Sequence, residues 1–168
     1  MRRLLKFLHT MGAIGLMGAM VSMAVMMINA PPPTDLAGYA LIHAAMAAIS
    51  KWIFFPSLAV TICAGLLSIG FNRAFHNAGW AWAKLATGVL IFEGGLMRVE
   101  GPIQEEAERS ASALAGHLDP ATLTGSYGGE QTALWVLLAV ATANVVLGVW
   151  RPRFTRIADP VAHAEETV

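Results

Sequence analysis

Charge is scarce in this chain. Asp, Glu, Lys and Arg make up 13% of its 168 residues, about half the roughly 25% of an ordinary soluble domain. Cysteine is nearly absent. Cys63 stands alone inside an apolar run, so there is no internal disulfide and no sign of the redox compartment. Neither sign of charge is in excess: 11 basic residues face 11 acidic ones, which gives no electrostatic ground for a nucleic-acid partner. The sequence also lacks a phosphate-cradling glycine loop, a Ser-His-Asp set, a zinc pattern and a solenoid repeat. His43, His76, His117 and His163 are scattered over expected loops, interface and tail, and no two share a helix at metal-ligand spacing.

What fills the chain is apolar: 56% of it is hydrophobic. A helix crosses the hydrocarbon core with about 20 mainly apolar residues. Four segments meet that need, at 4–28, 51–70, 80–97 and 132–150. The first follows Arg2, Arg3 and Lys6, as a signal peptide would. Its apolar stretch exceeds the roughly 7–15 residues of a signal core. At Ile28-Asn29-Ala30 a bulky residue stands where a cleavage site needs a small one, and Pro31 follows, so the segment reads as a retained helix.

Pro31, Pro32 and Pro33 cannot continue the first helix, because proline lacks the amide proton and clashes with the preceding turn. The apolar run at 36–69 would span roughly 50 Å as one helix, more than the bilayer core. Its alanine-rich part, 36–50, is therefore placed at or above the outer interface. Whether it continues into the span is left open. The span starts near Lys51 and Trp52, with Pro56 in its first turns. A short connection covers 71–79. Trp80 and Trp82 open the third span, and Trp135 and Trp150 bracket the fourth, as in an interfacial aromatic belt. Residues 98–131 form an acidic outer loop broken by Gly and Pro, in which 104–118 fits an amphipathic surface helix and 125–129 a turn. Arg151-Pro152-Arg153 ends the fourth span, and 151–168 are a polar tail.

The expected fold is thus all-α: a single-domain, integral membrane four-helix bundle. With four spans both termini share one side. That side carries Arg2, Arg3, Lys6, Arg73, Lys84, Arg151, Arg153 and Arg156. The other carries Lys51, Arg98 and Arg109 among Asp35, Glu100, Glu105, Glu106, Glu108, Asp119 and Glu130. The positive-inside rule makes both termini cytoplasmic.

Ionisable groups within spans are costly and mark places of interest. His9 lies near the cytoplasmic end of the first span. It reads either as a haem or metal ligand or as an interfacial histidine bonded to water or a carbonyl. Gly12, one turn on, would leave room for a flat macrocycle. Lys84, at similar depth on the third span, reads either as a snorkelling lysine or as the partner of an acidic ligand group such as a haem propionate. Glu93 lies about 13 Å deeper than Lys84. It reads as half of a structural pair with Lys51 or Arg98, or as a proton-handling group. Met17, Met20, Met23 and Met26, with Met27 adjacent, suit either Cu(I) or apolar packing. Gly15 with Ala19, and Ala139 with Ala143, give small residues four apart, which allow close helix contact.

Several of these residues recur in a recognisable order. Leu8-His9 precedes glycines in the first span. Pro56, Thr61 and Gly65-Leu66-Leu67 follow in the second. Trp80-Ala81-Trp82-Ala83-Lys84-Leu85 opens the third, and Trp150-Arg151-Pro152 closes the fourth. The order resembles a family of small four-helix bacterial inner-membrane proteins of unknown function. More distantly it is similar to the membrane-type haem-containing protoporphyrinogen oxidases and the copper-resistance D proteins. The resemblance covers the spans but not the acidic outer loop. The oxidase family implies that His9 and Lys84 form a functional pair and that haem is the cofactor. The chain departs from that pattern where a tryptophan usually follows the histidine, having Gly15-Leu16-Met17-Gly18 instead.

Three functions remain in view: an inner-membrane protein holding haem at His9, a non-catalytic partner or scaffold in the bilayer (by itself, as a homo-oligomer or with a membrane protein), and a copper-handling protein. Substrate and redox partner are not legible.

Overall fold

The structure is a computed structural model and describes residues 2–71, 79–123, 125 and 128–150. Among these, all regular structure is helical: α1 (Arg2–Ile28), α2 (Leu36–Ile49), α3 (Phe55–Phe71), α4 (Gly79–Gly94), α5 (Gly101–Leu114) and α6 (Gly128–Trp150). A π-helical segment, Ser50–Phe54, joins α2 to α3, and a second, Gly95–Glu100, joins α4 to α5. The six helices therefore make four rods. The connection expected at 71–79 and the tail at 151–168 lie almost wholly outside the described residues.

The second rod answers the question of continuity: Leu36–Phe71 is one unbroken helix. Asp35 starts it by accepting a hydrogen bond from the Gly38 amide at 3.2 Å, an N-cap that satisfies an otherwise orphaned donor. In the third rod the expected break after residue 97 is absent. The rod runs through the π segment into α5, where the amphipathic helix begins at Gly101 and stops at Leu114. Gly116 (φ +78°) then turns the chain away. Each π segment ends two residues before a proline, Pro56 or Pro102. A proline removes one backbone bond and crowds the carbonyl four residues back, and the wider π turn absorbs that conflict without ending the helix. Reading the Gly and Pro of 98–131 as breakers missed this accommodation at Pro102. At the turn expected over 125–129, Gly125 has φ +61°, residues 124, 126 and 127 are outside the described set, and α6 already begins at Gly128.

Consecutive rods run antiparallel. On α1 and α3, Gly12 meets Thr61 and Gly15 meets Ser57. On α4 and α6, a β-carbon at Gly94 would lie 3.0 Å from Leu137, and one at Gly148 would lie 2.9 Å from Lys84 Nζ. Between the second and third rods, Gly95 sits under Phe54 and Gln104 Nε2 donates to the Ala47 carbonyl at 3.1 Å. Arg2 and Trp150 thus lie at one end of the bundle, and α2 and α5 pair at the other.

At the α1–α3 seam the two backbones come close together. A β-carbon at Gly12 would collide with Thr61 Oγ1 and come within 2.9 Å of the Ser57 carbonyl. Gly12 therefore leaves room for α3, not for a macrocycle, because the missing side chain is what lets two backbones meet. Gly15 with Ala19 packs as expected, with Gly15 against Ser57 and Ala19 buried. Ala139 and Ala143 are exposed, and Leu137 and Ala141 supply the packing face of α6. The main core runs along α1 through Leu16, Met20 and Met23 to Phe54, Leu58 and Leu134. A smaller core of Tyr39, Ala113 and Leu123 closes the α2–α5 end.

Three rods are long and apolar enough to cross a membrane: Arg3–Ile28, Leu36–Phe71 and Gly128–Trp150. The helix α4, which carries Lys84 and Glu93, is not among them.

Candidate functional site

His9 projects from α1 across the seam onto α3. Its Nδ1 lies 2.8 Å from the Thr61 carbonyl oxygen. A carbonyl only accepts, so Nδ1 carries the proton and donates, and in the neutral ring Nε2 keeps the lone pair. Gly65, one turn beyond Thr61, provides the seat: a β-carbon there would lie 3.4 Å from Nδ1 and 3.5 Å from Cε1. Thr61 is held by its own hydroxyl, which donates to the Ser57 carbonyl at 2.7 Å.

Beside His9 lies a cavity of about 430 Å³ between α1, α3, α4 and α6, within the roughly 300–1,000 Å³ of small-molecule sites. Its wall is mostly aliphatic, with Leu16, Leu58 and Ile91 among the lining residues, and His9, Lys84 and Asn144 supply polar groups. Lys84 reaches from α4 to α6, where Gly148 clears a place for its ammonium group. Lys84 and His9 line one cavity from different helices. The structure thus brings together the two residues that sequence depth placed at the same height.

Asn144 was missed. It lies on α6 one turn before Gly148, and its Oδ1 is buried with no hydrogen-bond partner among the described residues. The rule that singled out Lys84, a polar group inside an apolar span, applies equally to an amide and would have found it.

Glu93, Lys51 and Arg98 are not brought together. All three are exposed, and no ion pair joins them among the described residues. Lys51 lies over the Trp52 ring, 5.6 Å from its centroid, and its charge acts on Glu100, not on Glu93. Burial pushes the Glu100 carboxyl above its ordinary range, opposed by hydrogen bonds from Ser50 and Gln104 and by Lys51. The α1 methionines pack: Met20 and Met23 are fully buried, Met17 and Met26 lie against the same core, and only Met17 also lines the cavity.

A second cavity, about 210 Å³, opens at the α2–α5 end beside Met27, His43, Met46 and Glu106. Tyr39 donates its hydroxyl to Glu106 Oε1 at 2.7 Å, and His43 Nδ1 donates to the Tyr39 carbonyl at 2.8 Å. The two rings lie 4.2 Å apart, centroid to centroid. Among the described residues, no three His, Cys, Asp or Glu side chains group closely enough to hold a metal ion.

Comparison with known proteins finds no match to a family model, a curated protein or a solved structure.

Proposed function

We propose that this chain is a multi-pass protein of a bacterial inner membrane, with both termini cytoplasmic, and that its bundle holds haem in the cavity beside His9. The membrane reading is supported by an inverted distribution of apolar surface. In the second and fourth rods only 17% of the most apolar window is buried inside the protein. Phe7, Ile14, Val25, Leu90, Val136 and Val149 all point outward. Water does not tolerate so much contiguous apolar surface, whereas lipid requires it. α4 joins the other rods as a fourth span, its Lys84 turned to the interior. The basic residues Arg3 and Lys6 lie at the same end of the bundle as Trp150, and Glu105, Glu106 and Glu108 at the other, which supports the orientation.

The observation that carries the haem reading is the His9 Nδ1–Thr61 carbonyl bond. Metal-bound histidines usually donate their second ring nitrogen to a carbonyl or carboxylate, which fixes the tautomer and orients the ring. Here that bond leaves the Nε2 lone pair available as the ligating nitrogen, and His9 lines an apolar cavity. His9 would hold the iron and Lys84 would face a propionate. The order of short motifs, which distantly resembles that of the haem-containing oxidases, favours the same ligand. Haem, when bound, would supply redox chemistry; the chain would supply the His9 imidazole nitrogen, the Lys84 cation and a largely aliphatic wall.

The test is an absorbance spectrum of protein purified in detergent after haem supplementation. A Soret band that disappears in His9→Ala is expected. A flat spectrum from the intact protein would overturn the reading.

A further inference from the structure

We infer that the ligand of the intramembrane cavity carries an acidic head, anchored in a polar corner made by Lys84, Asn144 and Gly148. The inference rests on the haem reading and adds which part of the ligand is held and by what.

The corner is built by α4 and α6 together. Lys84 Nζ lies over Gly148, 2.9 Å from where a β-carbon would stand. Any side chain at this position would push the ammonium group away. Asn144 is four residues earlier on α6, so it lies about 6 Å along the same helix face. Both residues line the cavity.

Two features give the corner its preference. The first is charge. Lys6 and Lys84 line the cavity, and no Asp or Glu is among the described residues of its wall. Within an apolar wall a positive charge strongly favours a negative guest, because little solvent screens the two. The second is the amide of Asn144, whose buried Oδ1 finds no donor among the described residues. A buried polar group draws its partner from whatever enters the space beside it. The amide can meet a carboxyl with Oδ1 when the acid is protonated. After a half-turn about its last torsion it can meet a carboxylate with its N–H. Lys84, with three N–H donors, supplies the charge for the ionised form. The pair therefore recognises a carboxyl group in either state, while His9, held on α3, meets another part of the same ligand.

Two probes separate this idea from the haem reading itself: haem, and haem dimethyl ester, which keeps the iron and macrocycle but has no ionisable carboxyl. Both are titrated into the detergent-purified full chain and followed by Soret absorbance. The intact protein is expected to bind haem at least about tenfold more tightly than the ester, the scale of one charge-assisted hydrogen bond. Asn144→Asp places a carboxylate against the head and should weaken haem by about tenfold with little effect on the ester. Asn144→Leu provides the same ratio in an apolar isostere, should the aspartate variant fail to fold. His9→Ala should weaken both probes alike. Equal affinity for the two probes, unchanged by either Asn144 variant, would sink the acidic-head corner and leave haem in place. No Soret band with either probe in the intact protein would sink both.

Discussion

At the scale of single residues, glycines decide how closely side chains and backbones meet. Gly12 and Gly18 are both on α1, yet a β-carbon at Gly12 would strike Thr61 and the Ser57 carbonyl, while one at Gly18 would meet nothing within 4 Å. Backbone atoms cannot step aside, so Gly12→Ala should force α1 and α3 apart, at about 1–3 kcal/mol. Gly18→Ala should be neutral or slightly stabilising, since alanine is the better helix former. Thermal unfolding in detergent checks the contrast, and equal melting temperatures for the two variants would refute it. Glu100 gives a pH prediction. Its folded-state pKa is raised by burial, so the unfolded chain ionises first as pH climbs. The folded state is progressively disfavoured from the ordinary glutamate pKa up to the raised value, and the penalty is constant above it. Glu100→Gln should therefore melt higher than the parent near about pH 8 and lose that advantage near about pH 3. A gain that persists in acid would mean that the substitution acts through packing.

At the scale of elements, the two π segments set the pairing of α2 with α5. They lie side by side: Phe54 packs over Gly95, and Ser50 Oγ faces Glu100 Oε2 at 3.5 Å. Each residue added to or removed from a helix rotates everything beyond it by about 100°. Deleting Met97, which is exposed within the second π segment, should swing α5 by that angle. The Tyr39–Glu106 and Gln104–Ala47 hydrogen bonds would go, and with them the burial of Ile103 and Ala113. Hydrogen exchange of the α5 amides should rise by at least about tenfold while α1 stays protected, as expected when a local unit loses its docking. Unchanged protection in α5 would show that the π turn does not set the register. The same segments explain why ion pairing was not legible. Depth along a helix follows from counting residues, but the direction in which Glu93, Lys51 or Arg98 points depends on the turn they share with a π segment.

At the scale of the whole molecule, much apolar surface turns outward while a few polar groups share a cavity between the rods. His9, Lys84 and Asn144 face a common cavity, and large aliphatic side chains cover the outside. In the bilayer proposed above the outer faces would carry no hydrophobic penalty, and helix association would rest on close packing at Gly12 and Gly15 and on interhelical bonds such as His9 to Thr61. The four crossings proposed above would place both tails in the same compartment. Reporter fusions at residues 1 and 168 should both read as cytoplasmic, and a fusion near Asp119 should read as external. Opposite readings from the two tails would remove one crossing and refute the four-span topology.

From sequence alone came the all-helical class, the existence of four rods and the shared depth of His9 and Lys84, because composition and the fixed rise of a helix determine class and height; the limits of the second and third rods did not. Tertiary structure decided the rest. It gave the space at Gly12 to α3, seated the His9 ring on Gly65, placed Lys84 over Gly148 beside Asn144, and carried both long rods past Pro56 and Pro102. These outcomes depend on rotation about each helix axis and on which backbones approach most closely. Linear spacing fixes neither, since both are set by the packing of all four rods at once.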